Sequence, residues 1–511
     1  MEKLTVDVVV IGAGLSGLVS AYHLLKTDHR LKVLVLEAKD RIGGRTQTVQ
    51  LKSADGSIDF WDVGGEWVGR PQMFLQDLLK TFRLDTFIPT ATNTYVPVPT
   101  EPPLSWKTRV DLKMLCLKLR RLKSIIDSIE SLVDSIRAIQ WDAITLENYV
   151  KENLWTEGAM AVVDTACRCM FGLSPSEMSL LYFLMYIQDA GGLEVFIQPN
   201  MYSGKDCRVK GGIQQLASNI VYKIGRKNVL LRQPVTHIVQ NPERVVVVTS
   251  NRMQVLCQRV ILAVPPHHIA SISFTPSLPP NQLSLLKSVP LAFLVKFAVT
   301  YEEAFWRNDT GSNQFGFQRV LEDPGAGSVG IVYDATSSGG NPALAGFLSS
   351  VSDTDSDDEA HKKKILYLLE ALLGDSVRDF VDITLKDWSK EPYNGGCFLK
   401  SLIPGTTRYL NQDLRTAFDR VHFAGTETAT VWCGFMNGAV QSGFRAASEI
   451  LKHLCPEETT TTNNNSGGLN LALKSMSLAI FGAGLLSVAF MLMKSNAANK
   501  SSPILKLLVE K

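Results

Sequence analysis

The chain has 511 residues, 45% of them hydrophobic and 20% charged, and its 52 basic and 50 acidic side chains leave a net charge of +2. That length exceeds one ordinary domain and allows a large buried core, while the balanced charge gives no sign of a nucleic-acid partner. The eight cysteines, including a Cys167-x-Cys169 pair that is not a metal-ligand pattern, read with one exception as reduced thiols of a cytosol-facing protein.

The first residues pass directly into an apolar run, with neither a basic leader nor a cleavage site, so no secretory signal is expected. Residues 6–11 are a β-branched run interrupted only by Asp7, as in a strand buried on both faces of a parallel sheet. Gly12, Gly14 and Gly17 follow in G-x-G-x-x-G spacing and open a helix expected to reach about residue 25; residues 32–36 give a second buried strand that ends at Glu37. Alone, the glycine pattern is weak. Between two strands it reads as a dinucleotide loop: Gly12 permits the tight turn, Gly14 the approach of backbone to a pyrophosphate, and Gly17 the packing of helix on strand. Glu37 would accept from ribose hydroxyls.

Arg41, Gly43, Gly44 and Arg45 come straight after that acid, suited to a pyrophosphate that continues towards a larger head group. Gly64 and Gly65 form a second glycine-rich turn after Phe60. Residues 103–140 are a long charged amphipathic stretch, expected as a solvent-exposed helix of a second domain. Residues 229–263 alternate turns with β-rich runs, the last of them returning to the dinucleotide sheet. Lys296 stands in an apolar strand, where a lysine needs a partner or water; the plainer alternative is an edge strand from which it reaches solvent. The acidic run 352–360 lacks the glycine of a tight calcium loop and reads as the start of a helix, so no metal site is expected. Residues 457–468 form a polar low-complexity linker. Beyond it, 475–493 carries no charge between Lys474 and Lys494, long enough at about 1.5 Å per residue to span a bilayer as a tail anchor.

The most specific cluster lies near the C-terminus: Trp388, then Gly395-Gly396-Cys397-Phe398, Gly425-Thr426-Glu427 and Gly434-Phe435-Met436. Together with the arginine–glycine extension and the second glycine-rich turn, it resembles the flavin-containing monoamine oxidases over essentially the whole chain. The resemblance implies FAD as cofactor, bound by the glycine-rich segments above and by Trp388, Gly425, Thr426, Glu427, Gly434, Phe435 and Met436, and joined through Cys397 as an 8α-S-cysteinyl thioether. It also implies an aromatic cage of Phe398 and Phe435, where the family usually has tyrosines, and a Lys296 that holds water near flavin N5. Phenylalanine keeps the π-faces and loses the hydroxyl dipoles, so oxidation is expected with altered efficiency or preference. Phe60, Phe171, Tyr186, Ile197, Lys205 and Phe347 are the cavity positions carried over; Lys205 replaces a glutamine and would disfavour simple cationic amines.

The implied reaction is oxidative deamination of primary or secondary monoamines by O2 to aldehyde, ammonia or amine, and hydrogen peroxide. The implied place is the mitochondrial outer membrane, with the catalytic part facing the cytosol and a homodimer left open. The expected fold is a discontinuous Rossmann-like FAD-binding domain (1–90, 208–288, 385–455) with an interleaved α+β substrate domain (91–207, 289–384), a linker (456–474) and a C-terminal transmembrane helix. Two alternatives stay open: a polyamine or amino-acid oxidase of the same fold, and a membrane-tethered flavoprotein that has lost turnover.

Overall fold

The computed structural model describes residues 3–89, 104–127, 135–171, 173–189, 206–288, 294–307, 318–323, 328–349, 358–396, 405, 407 and 413–454. Contacts divide the chain into 1–449 and 450–511. Of the second part only the end of the helix Met436–Leu454 is described, and the expected membrane segment 475–493 lies outside the described residues. Among the described residues, no helix is long and apolar enough to cross a membrane.

Within 1–449 a five-stranded parallel sheet runs in the order Val421–Phe423, Arg259–Leu262, Val8–Ile11, Val33–Leu36, Val229–Leu230. Its central strands are valine- and leucine-rich and buried along their length because both faces are covered. The run after residue 258 does return to this sheet, as its sequence suggested. A second sheet, mixed in direction, joins Lys3–Thr5, Gln254–Cys257, Val245–Thr249, Val235–Gln240 and Ser273–Thr275.

A third sheet is antiparallel throughout, in the order Gln318–Asp323, Ser328–Asp334, Ala343–Ser349, Leu294–Tyr301, Phe380–Asp387. All eight residues of Leu294–Tyr301 are buried, which excludes the edge-strand reading of Lys296. The helices Trp106–Asp127, Ile136–Ala143, Leu146–Asn153, Glu157–Phe171 and Leu180–Asp189 share a separate apolar core.

The stretch 103–140 is not one exposed helix. It holds two described helices, the second capped by Ser135, whose side chain accepts from Ala138 N. Leu112, Leu115 and Leu119 of the first are buried, because their three- and four-residue spacing makes an apolar stripe beneath the charged face. Asp358–Leu373 begins on Asp358 and Glu359, the acidic start expected there.

Candidate active site

One cavity of about 830 Å³ is lined by the first glycine loop, by the Gly64–Gly65 turn, by Lys296 and by aromatic side chains from several separate segments. At the loop, Gly12 has φ +104°, and a Cβ there would lie 2.6 Å from the Ala263 carbonyl oxygen; one on Gly17 would lie 2.0 Å from the Gly12 carbonyl oxygen. No side chain fits at either position, so the helix Leu15–Thr27 seats directly on the turn. A Cβ on Gly14 would meet nothing nearer than Gly44 Cα at 3.9 Å, and both glycines line the cavity. Glu37 is buried, and its carboxylate accepts from Ala13 N at 2.6 Å and Lys39 N at 2.9 Å. It therefore braces the loop while still lining the cavity with unused lone pairs. The bare loop, the helix N-terminus behind it and this acid fit the pyrophosphate and ribose of FAD.

The arginines behave differently from expectation. Arg45 lines the cavity, but its guanidinium is held by Glu427 through contacts of 2.6 and 3.0 Å. Glu427 itself does not reach the cavity wall; it stands behind Arg45, almost fully buried. Arg41 is also drawn away from the wall, pairing with Glu391 at 2.6 Å and lying 5.8 Å from the Trp388 ring. Glu391 collects three cations, since Lys39 at 2.7 Å and Lys386 bind it too. Burial alone would raise its pKa, yet the bonds from Lys386, Lys39 and Arg41 hold it down at about 2. Lys39 is in turn lowered to about 8, chiefly by burial.

Lys296 is 5% exposed and donates to Glu66 Oε2 at 2.7 Å and to the Gly64 carbonyl at 2.8 Å. Glu66 also pairs with Arg208 at 2.5 Å and accepts from the Tyr333 hydroxyl. Burial would raise the Glu66 carboxyl, but the charges of Arg208 and Lys296 outweigh it and keep the pKa below the usual range. Glu66, Arg208 and Tyr333 were not singled out from sequence. Strand pairing sets Lys296 opposite Phe347, and both line the cavity. Trp388, whose indole donates to Val63 O at 2.7 Å, also lines it.

At the aromatic end Phe435 lies between Tyr186, 5.6 Å away by ring centroids, and Trp432, 5.1 Å away and nearly perpendicular. The Thr426 hydroxyl donates to Phe435 O at 2.8 Å, and Met436 fills the space that a Gly65 side chain would need, its Sδ 3.0 Å from that Cβ position. Gly425, Thr426, Gly434, Phe435 and Met436 all line the cavity. Trp432 was overlooked in the sequence, although it sits only two residues before Gly434.

Two expected cavity residues are elsewhere. Phe60 is 41% exposed, because the alternation of strand Ile58–Asp62 turns Trp61 inward and Phe60 out. Phe171 is buried in the helical core behind Tyr186, their rings 4.5 Å apart, and does not reach the cavity. Cys397, Phe398, Ile197 and Lys205 lie outside the described residues.

Asp62 carries a pH signature. It is buried, accepts from Thr48 Oγ1 at 2.6 Å and Ile213 N at 3.1 Å, and is pushed up from 3.8 to about 6 by burial and then by the charge of Glu66. A raised carboxyl favours the protonated folded state, so its contribution is intact below the unfolded pKa and is lost as pH rises through about 6. Asp62→Asn is expected to gain thermal stability relative to wild type across that window and to show no such gain below it. Melting temperatures of both proteins across the window check this; parallel curves contradict it.

The family model for flavin containing amine oxidoreductase matches residues 15–451. The chain is 34% identical over 465 residues to amine oxidase [flavin-containing] A of Bos taurus, covering 88% of this chain and 85% of that one. It is 30% identical to the probable flavin-containing monoamine oxidase A of Dictyostelium discoideum, over 87% of this chain and 97% of that one. Among solved structures, putrescine oxidase bound to putrescine is 26% identical with a TM-score of 0.76, covering 88% of this chain and 100% of that one. Cyclohexylamine oxidase from Brevibacterium oxydans is likewise 26% identical, with a TM-score of 0.75 over 88% and 99% of the two chains. With the family model spanning both the glycine loop and the aromatic end of the cavity, the chain belongs to the FAD-dependent, flavin-containing amine oxidoreductases.

Proposed function

We propose that this enzyme deaminates primary or secondary monoamines, giving an aldehyde, ammonia or an amine, and hydrogen peroxide. The observation that carries this reading is one continuous cavity, lined by the dinucleotide loop at one part and by Tyr186, Trp432 and Phe435 at another, with Lys296 in its wall. When bound, FAD supplies the two-electron acceptor for the amine's α-carbon and is restored by dioxygen. The side chains do the rest. Phe435, held between two rings, presents a π-face and keeps water from the amine; Phe398 is assigned the other wall. Lys296 spends two N–H bonds on Glu66 and Gly64, leaving the third for a water, the role expected of it from the family.

In this reading 1–90, 208–288 and 385–455 hold the cofactor, 91–207 and 289–384 shape the substrate space, and 475–493 anchors the enzyme in the mitochondrial outer membrane. Cys397 is assigned the covalent link to the flavin. Cys397→Ala is expected to release its flavin on acid precipitation, whereas the unaltered protein retains it; flavin freed from the unaltered protein overturns the link.

The function is tested on detergent-solubilised holoenzyme with a panel of arylalkyl, alkyl, polyamine and amino-acid substrates. Flavin bleaching without oxygen and peroxide formation in air with monoamines support the reading. A flavin that stays oxidised across the panel overturns it in favour of a flavoprotein without turnover.

A further inference from the structure

After Glu66 the chain turns through Gly69 and Gln72 into the helix Met73–Thr81, and this turn forms a stretch of cavity wall with no part in the chemistry above. Gln76 fixes it from the far side, its amide donating to the Gly69 and Arg70 carbonyls at 2.8 Å each. Gln72 is 5% exposed and lines the cavity, yet its Oε1 has no hydrogen-bond partner and it makes no side-chain cap to the helix it precedes. A buried amide oxygen left without a donor is costly, and a ligand donor relieves that cost. Asp206 lines the same wall. The Cβ position of Gly69 lies 3.5 Å from Asp206 Oδ1 and 3.6 Å from Gln72 Cδ, so a carboxylate and a carboxamide converge on one glycine that leaves room beside them.

We propose that Asp206 and Gln72 form a subsite for a second cationic group of the substrate, so that α,ω-diamines are preferred over monoamines with an apolar tail. A primary ammonium brings three N–H donors and a positive charge, matching an acceptor pair of which one member is anionic. The proposal rests on the amine-oxidase reading and moves the preferred substrate from monoamines to diamines. It reverses the preference expected from Lys205, which lies outside the described residues.

The test compares kcat/KM for a series of α,ω-diaminoalkanes with that for n-alkylamines of matching length, using the holoenzyme. The diamine-to-monoamine ratio is expected to exceed unity and to fall about tenfold or more in Asp206→Asn, through the diamine KM more than through kcat. Asp206→Glu restores part of the ratio, and Gln72→Glu, which adds a second carboxylate, raises it. A ratio that Asp206→Asn and Gln72→Glu both leave unmoved overturns the subsite while leaving amine oxidation intact. If no amine is turned over, the proposed function fails instead, and thermal shift decides the subsite. A diamine that raises the melting temperature more than its monoamine, with the excess lost in Asp206→Asn, supports it; equal shifts overturn it.

Discussion

Glu66→Gln is expected to destabilise the folded holoenzyme by about 3–5 kcal/mol, the usual loss when one member of a buried ion pair is removed. The side chain is 2% exposed and touches Arg208 at 2.5 Å and Lys296 at 2.7 Å, themselves 4% and 6% exposed. Glutamine keeps the shape and the hydrogen bond from Tyr333 but leaves Arg208 and Lys296 buried without the carboxylate that pairs with both. The Gly64 carbonyl, already bonded to Lys296, is too weak an acceptor to compensate. Denaturant unfolding of wild type and variant measures the difference; a change below about 1 kcal/mol would mean that water already reaches the pair.

Lys296→Met should separate the two halves of the reaction. The variant keeps the apolar stem and removes the ammonium, while Glu66 retains Arg208. If the remaining N–H of Lys296 orders the water at which dioxygen is reduced, reoxidation of the flavin slows by about a hundredfold, as when other preorganised charges are deleted from active sites. Reduction by amine without oxygen suffers far less. Stopped-flow traces of the two half-reactions decide the matter. Equal slowing of both would make the lysine a structural member of the buried cluster and nothing more.

Much of this architecture is written locally. The buried strands Val8–Ile11 and Val33–Leu36 announce themselves as unbroken apolar runs, and the glycines between them define their own turn. Lys296 stood out for the same reason, as a charge inside an apolar strand. Its partner did not, because Glu66 lies 230 residues away in a turn where an acid is unremarked. The same holds for Arg208 on Glu66 and for Lys39 and Arg41 on Glu391: a pairing across more than a hundred residues leaves no local trace.

Phe60 illustrates a different limit. Alternation predicts that Phe60 and Trp61 face opposite ways, but only the fold decides which of them faces the interior. In the first long helix the dense charge of one face concealed the leucine stripe on the other. The aromatic end was legible in part: Phe435 and Tyr186 belong to it, whereas Phe171 packs one layer behind.

The order of strands in the parallel sheet also governs when the enzyme comes into being. Val8–Ile11 pairs with Arg259–Leu262, and that strand pairs on its other side with Val421–Phe423. A nascent chain therefore holds its earliest strand without one neighbour until the ribosome has passed Leu262, and without the complete sheet until it has passed Phe423. Closing such long loops is slow compared with local helix formation. The cofactor pocket, whose wall includes Gly425 through Met436, is thus a late product of synthesis. A chain cut short before those residues has no complete pocket to offer.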